Sequence, residues 1–222
     1  MSLFKPRYIT FDCYGTLINF EMANAARALY ADRVAAEDMK AFTDAFAAYR
    51  LDEILGAWKP YEQVVDNAIR RTCKRCNVEY REGDGKSIYE QVPTWGPHPD
   101  TSAGLAKVAK EFPLVGLSNA ATAQIPHNIE RIGVPFHAVY TAEQAQAYKP
   151  RMQAFEYMLD QLGCAPQDIL HVSSSFRYDL MTAHDLGIKN KVWVNRGHEP
   201  ANPYYNYTEI KDIGGLAAVV GL

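Results

Sequence analysis

Cysteine is scarce in this chain. Four fall among 222 residues, at Cys13, Cys73, Cys76 and Cys164, which argues against a disulfide-stapled scaffold. A single Cys-x-x-Cys pair, Cys73 and Cys76, has no second pair to complete a zinc site. It lies in a helical pattern, so the thiols sit one turn apart and are read as structural. The six histidines are scattered, without a pair at metal-ligand spacing. No basic excess exists either: 23 Lys and Arg face 26 Asp and Glu, for a net charge of −3. Neither a nucleic acid nor a membrane surface is therefore expected as partner. No stretch of about 18 apolar residues could span a bilayer. The amino terminus lacks the long apolar core of a secretory signal. The expectation is a cytoplasmic protein with reduced thiols.

What is present is a 48% hydrophobic chain, long enough to bury a large core. Residues 7–11, aromatic and β-branched, predict a first strand. Further strands are predicted at 114–117, 138–140, 169–172 and 192–194. Helical periodicity between them covers 102–111, 125–132, 152–162 and 180–186. Strands alternating with helices imply βαβ units and a parallel sheet. Residues 20–96 differ, with helices predicted at 21–32, 36–55, 61–78 and 85–91 and little strand signal. The resulting expectation is an α/β fold: a doubly wound parallel sheet from residues 1–19 and 97–222, with a helical cap domain, 20–96, inserted after the first strand. The stretch 200–207, rich in Asn, Pro and Tyr, reads as an irregular loop.

Ligands of such sheets bind at the carboxyl ends of the strands. Four predicted strand ends carry chemistry. The first runs into Asp12-Cys13-Tyr14-Gly15-Thr16, the second into Ser118-Asn119. Lys149-Pro150 follows the turn after the third, and Ser173-Ser174-Ser175 leads to Asp179 after the fourth. Any one could be a loop-stabilising polar group or a helix cap. Nucleophile, hydroxyl, ammonium and second carboxylate converging on one sheet edge are harder to ascribe to chance.

The set Phe11-Asp12-Cys13-Tyr14-Gly15-Thr16-Leu17, Ser118-Asn119, Lys149 and Asp179 resembles the haloacid dehalogenase superfamily. Within it the first motif is similar to that of the L-2-haloacid dehalogenases of type II. Superfamily phosphatases carry a second aspartate two residues after the first, which protonates the leaving alkoxide. Tyr14 stands there, and a phenol is a poor acid at neutral pH. Phosphatases also hold Mg²⁺ through an acidic fourth motif, where this chain has neutral serines. Halide leaves without a proton or a metal, so one explanation covers both differences.

The resemblance implies a metal-independent, cofactor-free hydrolase acting on a small haloacid. Asp12 would displace halide from C2, and water would hydrolyse the resulting ester. Lys149 would keep Asp12 ionised, Thr16 and Ser118 would donate to it, and Asp179 would serve the water. Ser174 and Ser175 would hold that water or Lys149. Arg50, Asn119 and Tyr14 would take the halide; Arg33 and Arg70 are lesser candidates. Backbone N–H groups near Ser118 and after Asp12 would take the substrate carboxylate. Dimers are usual in the branch, and the apolar helix around 23–30 offers a face for one.

Two departures stand out. The branch carries a tyrosine six residues after the lysine, where this chain has Phe155, with Tyr157 two further on. Its fourth motif commonly reads Ser-Ser-Asn, with the aspartate one residue closer than Asp179 stands here. The other readings of the same residues are a Mg²⁺-dependent phosphatase of small phosphate esters and a non-catalytic binding protein on this scaffold.

Overall fold

Tyr8–Phe11 forms β1, buried along its whole length, as expected of a parallel strand covered on both faces. In this computed structural model, residues 4–222 are described. Four helices follow β1: α1 (Met22–Leu29), α2 (Met39–Leu55), α3 (Tyr61–Cys76) and α4 (Asp84–Tyr89). The chain then alternates: α5 (Thr101–Val108), β2 (Leu114–Ser118), α6 (Ile125–Ile132), β3 (Ala138–Thr141), α7 (Ala142–Ala145) and α8 (Met152–Leu162). It closes with β4 (Ile169–Ser173), α9 (Met181–Asp185), β5 (Asn190–Val194), β6 (Thr208–Ile210) and α10 (Leu216–Val219).

The six strands form one sheet in the order β3-β2-β1-β4-β5-β6. Every pairing is parallel. The order reverses at β1: the chain moves out to β2 and β3 on one side, then returns to β4 on the other. That reversal opens a crevice beyond the carboxyl ends of β1, β2 and β4, where an open α/β sheet binds its ligand. The doubly wound α/β fold anticipated from strand–helix alternation is the fold observed.

The core explains why the elements are stable. On α8, Phe155, Met158, Leu159 and Leu162 lie at i, i+3, i+4 and i+7, one face of a helix. They form one buried cluster with Tyr8, Val115, Leu117 and Ile169 of the sheet. The helix stops where Gly163 takes a left-handed φ of 56° as its C-cap. Truncating a side chain such as Phe155 to alanine would cost about 3–5 kcal/mol.

Contacts divide the chain into two compact units. One takes the chain through Asn19 and resumes from Gly96 to Leu222; the other is Phe20–Trp95. The second unit is helical, with α2 packed on α3 and α3 on α4. Several of its polar groups pair internally. Arg33 forks onto the Asp84 carboxylate at 2.7 and 3.3 Å. Tyr30 donates to the same carboxylate at 2.6 Å, and Cys73 Sγ lies 3.3 Å from that hydroxyl. Cys73 is thus a buried, unoxidised packing group.

Two differences from the sequence reading are instructive. The edge strand β6 falls outside the anticipated set. It is three residues long and exposed at Thr208 and Glu209, so it shows neither an apolar run nor clean alternation. The stretch before it is not featureless. Tyr205 and Tyr207 pack against Phe176 and Trp193, with ring centroids 5.0–6.1 Å apart among the four. Spacing alone could not pair aromatics some 30 positions apart in the chain. Among the described residues, no helix is long and apolar enough to cross a membrane.

Candidate active site

β1 delivers Asp12 to the crevice, where its backbone N–H still bonds Val172 O of β4 at 3.0 Å. The chain then turns sharply. Gly15 holds φ +92°, a region L side chains rarely adopt, which accounts for glycine at this position. The turn returns Leu17 N to Cys13 O at 2.8 Å and swings Thr16 back over Asp12. Thr16 Oγ1 donates to Asp12 Oδ2 at 2.6 Å and receives Ser174 N–H at 2.8 Å. Ser174 Oγ lies 3.1 Å from the same hydroxyl.

Lys149 is the centre of the arrangement. It is 1% exposed, and its ammonium donates to Asp12 Oδ1, Asp179 Oδ1 and Leu117 O, each at 2.8 Å. Three donors meet three acceptors, so the ammonium is fully satisfied. Burial alone would favour the uncharged amine, but the two carboxylates outweigh it and hold Lys149 firmly as the cation. Burial also pushes Asp12 upward, against the pull of Lys149. Asp179 moves the other way: burial raises it, but Lys149 and His171 together bring it below the usual carboxylate range. Two buried acids thus share one cation and titrate as a unit. The neighbouring Cys13 thiol is pushed to about 12, by burial first and by the Asp12 charge second. It stays protonated at neutral pH.

The extra residue before Asp179 is absorbed by the backbone. Phe176–Leu180 forms a π-helical turn, with Leu180 N reaching Ser175 O at 3.1 Å. A π-turn accommodates one residue more than an α-turn and is common at functional sites. Asp179 therefore still meets Lys149, despite the longer spacing.

Several anticipated residues are brought together here, and some hold other partners. Asp12, Thr16, Lys149, Asp179 and Ser174 converge as described. Ser118 does not donate to Asp12: its hydroxyl is buried beside the Cys13 thiol. Ser175 holds neither Lys149 nor Asp12. Its hydroxyl donates to Glu199 Oε1 at 2.6 Å and accepts Tyr178 N–H at 3.1 Å, capping the π-turn. Asn119 brackets the Lys149 backbone, donating to its carbonyl at 2.9 Å and accepting its N–H at 2.7 Å. One N–H of that amide remains for another acceptor. Tyr14 Oη donates to Asn128 Oδ1 on α6 at 2.8 Å.

The arginines separate by partner. Arg33 is committed to Asp84, and Arg70 to Asp66 and Glu82. Arg50 is in no ion pair among the described residues, because Lys59 and Arg71 take Glu53, and Arg71 also takes Asp52. Its guanidinium lies 5.0 Å from the ring centroids of both Phe20 and Phe46. Arg50 is thus the one of the three without a carboxylate.

Sequence reasoning overlooked three residues. His171 sits inside β4 and reaches Asp179; its only signal is a polar side chain in an otherwise apolar strand. Glu199 accepts Ser175 Oγ and the N–H groups of Phe176 and Arg177, securing the π-turn from a loop 20 positions away. Arg196 forks onto Asp100 at 2.7 and 2.9 Å and donates to Thr16 O at 2.9 Å, anchoring the turn after Asp12.

A divalent cation fits these residues poorly. Mg²⁺ requires near-octahedral hard oxygen ligands. Asp12 and Asp179 both face the Lys149 ammonium, and the adjoining loop offers serines. No group of three or more His, Cys, Asp and Glu side chains is gathered as metal ligands among the described residues.

A buried carboxylate, a hydroxyl, a lysine and a second carboxylate at the reversal point of a parallel sheet are a recognisable set. The model of the haloacid dehalogenase-like hydrolases matches residues 6–187. The chain belongs to this family of hydrolases. Two curated relatives are similar to it. It is similar to an (S)-2-haloacid dehalogenase of Pseudomonas putida, with 26% identity over 85% of each chain. It is also similar to a haloacetate dehalogenase of a Moraxella species, with 27% identity over 64% of each chain. Among solved structures, a dehalogenase covers both chains fully with a TM-score of 0.83 at 19% identity, a likeness of fold.

Proposed function

We propose that this hydrolase is a dehalogenase that converts a small (S)-2-haloacid, of the haloacetate or 2-halopropionate type, into the 2-hydroxy acid and halide. The observation that carries the reading is the buried Lys149 ammonium held between Asp12 and Asp179 at 2.8 Å from each, with Tyr14 where a phosphatase needs an acid. A carboxylate paired with a fixed cation suits an SN2 displacement of a leaving group that needs no proton. The dehalogenase relatives support the same choice.

In the first step Asp12 Oδ attacks C2, the C–O bond forms, and the carbon–halogen bond breaks with its electron pair on halide. C2 inverts, so an L acid gives the D-2-hydroxy acid. In the second step water attacks Cγ of the Asp12 ester, and the aspartate is regenerated. Thr16 orients Asp12 during the first step, and Asp179 serves the water in the second. The sheet unit acts as the catalytic core. Arg50, without a carboxylate partner among the described residues, is available to a departing halide.

Ion chromatography tests the reading. Halide is expected from L-2-chloropropionate or a haloacetate with EDTA present. Silence across a panel of fluoro-, chloro- and bromoacids, with metal-dependent release of phosphate from an aryl phosphate, would sink it. Arg50→Ala is expected to lower kcat/KM by about 10²–10³-fold, the cost of one donor to a developing anion. Arg33→Ala should instead act on thermal unfolding, through its loss of Asp84, so the two variants separate by kinetics against melting.

A further inference from the structure

β4 carries a histidine into the deepest part of the core, and no step above uses it. His171 is fully buried, as are its partners Thr10 and Asp179. Its Nε2 lies 3.1 Å from Asp179 Oδ1, and its Nδ1 lies 2.8 Å from Thr10 Oγ1 of β1. The two strands hold this geometry rigidly, because Thr10 and His171 are register partners in the parallel β1–β4 pair. Phe155 closes the third side, edge-on to the imidazole with centroids 5.2 Å apart.

The partners decide which ring nitrogen carries hydrogen. An ionised Asp179 only accepts, so Nε2 must donate to it. Thr10 can donate, and its alternative acceptor, Leu170 O, is at 3.5 Å, so its hydroxyl hydrogen goes to Nδ1. The hydroxyl thereby fixes the tautomer, and the tautomer fixes the bond to Asp179. Asp179 Oδ1 then receives two donors, Lys149 and His171. Its other oxygen, Oδ2, is buried with no hydrogen-bond partner among the described residues. One oxygen is saturated and the other is left basic.

We infer that His171 is a positioning residue for ester hydrolysis: it pins Asp179 by Oδ1 so that Oδ2 faces the attacking water. The inference rests on the dehalogenase reading for its chemistry. Water oxygen bonds Cγ of the Asp12 ester, and the water proton passes to Asp179 Oδ2. The bond from Cγ to the ester oxygen breaks, the departing alkoxide takes that proton, and the second water proton leaves the new Asp12 carboxyl for solvent, so Asp12 and Asp179 end as they began. It also answers the substitution at position 155. A phenylalanine cannot donate a hydrogen bond, and here the second donor to Asp179 comes from the adjacent strand.

The test separates the two chemical steps. His171→Phe removes the donor, and His171→Gln keeps an amide N–H near the Nε2 position. With L-2-chloropropionate, His171→Phe is expected to release one equivalent of halide at the wild-type rate. Turnover then falls about 10–100-fold, the usual effect of losing such a supporting partner. Intact mass should show the Asp12 ester persisting, and His171→Gln should recover most of the loss. Thr10→Val, which keeps the strand's shape, should slow the same step and covers the case in which the phenylalanine variant does not fold. Equal slowing of halide release and ester hydrolysis, or a glutamine variant no better than phenylalanine, overturns the inference. If the wild type releases no halide from any haloacid, the dehalogenase reading has failed instead. Nitrogen-15 spectra of the imidazole then decide the positioning role: hydrogen on Nε2 supports it, and hydrogen on Nδ1 overturns it.

Discussion

Asp12→Asn abolishes turnover, by an expected factor on the order of 10⁴ or more, while the protein remains folded. The size follows from the residue's place in the chemistry. An amide is a poor nucleophile, and no other group on the turn can substitute. Cys13, the adjacent candidate, is a buried thiol held protonated by its surroundings. The variant should fold because the amide is nearly isosteric with the carboxylate and keeps an oxygen for Thr16 or Lys149. Halide release by ion chromatography and thermal unfolding by circular dichroism measure the two halves. Single turnover in ¹⁸O-water gives the mechanistic counterpart: label should enter Asp12 of the wild type. Label appearing directly in the hydroxy acid would exclude the aspartyl ester.

Lys149→Met is the second large effect, and it strikes both stability and activity. Removing the ammonium leaves Asp12 and Asp179 buried without their shared cation. Losing one partner of a buried ion pair costs about 3–5 kcal/mol. The pH dependence identifies the cause. In the wild type, Asp179 is held below the usual carboxylate range. The stability it contributes is therefore present above that range and lost as pH falls through it. In the variant both acids are raised, so they are accommodated when protonated and penalised as pH rises. The gap between wild type and variant should widen from acidic to neutral pH. Urea unfolding across that range measures it; a gap independent of pH would show a packing defect instead. Activity should fall with Asp12 partly protonated, and Lys149→Arg should not restore it, since the planar fork differs from a point ammonium bound to three acceptors.

The two effects share one geometry, and that geometry was only partly legible in the sequence. Asp12, Lys149 and Asp179 are each readable as strand-end chemistry, because a parallel sheet gathers the carboxyl ends of its strands on one edge. Their meeting at a single ammonium is not readable, since it depends on how the chain between them is spaced. The segment from Ser175 to Asp179 illustrates this. Counted along the chain it is one residue too long, yet a π-turn removes the excess and Glu199 secures that turn. Ser175 and Asn119 make the complementary point. A serine and an asparagine beside a site can serve a ligand or the backbone, and the two uses look alike in sequence. Here Ser175 caps the turn and Asn119 brackets Lys149.

What the sequence determined by itself is the frame. Apolar strands and amphipathic helices declare themselves through short-range periodicity, so 125–132 and 152–162 emerge as helices with the same bounds in sequence and structure. The parallel sheet, its inserted helices and the strand-end location of the chemistry follow from that frame. The tertiary structure alone decided which polar groups meet. β6 required its neighbour β5, Tyr205 and Tyr207 required Phe176 and Trp193, and His171 required Thr10 and Asp179 on either side. The physical reason is range. Backbone periodicity repeats within a few residues, whereas a hydrogen bond to a buried carboxylate joins side chains from whichever strands the fold places side by side.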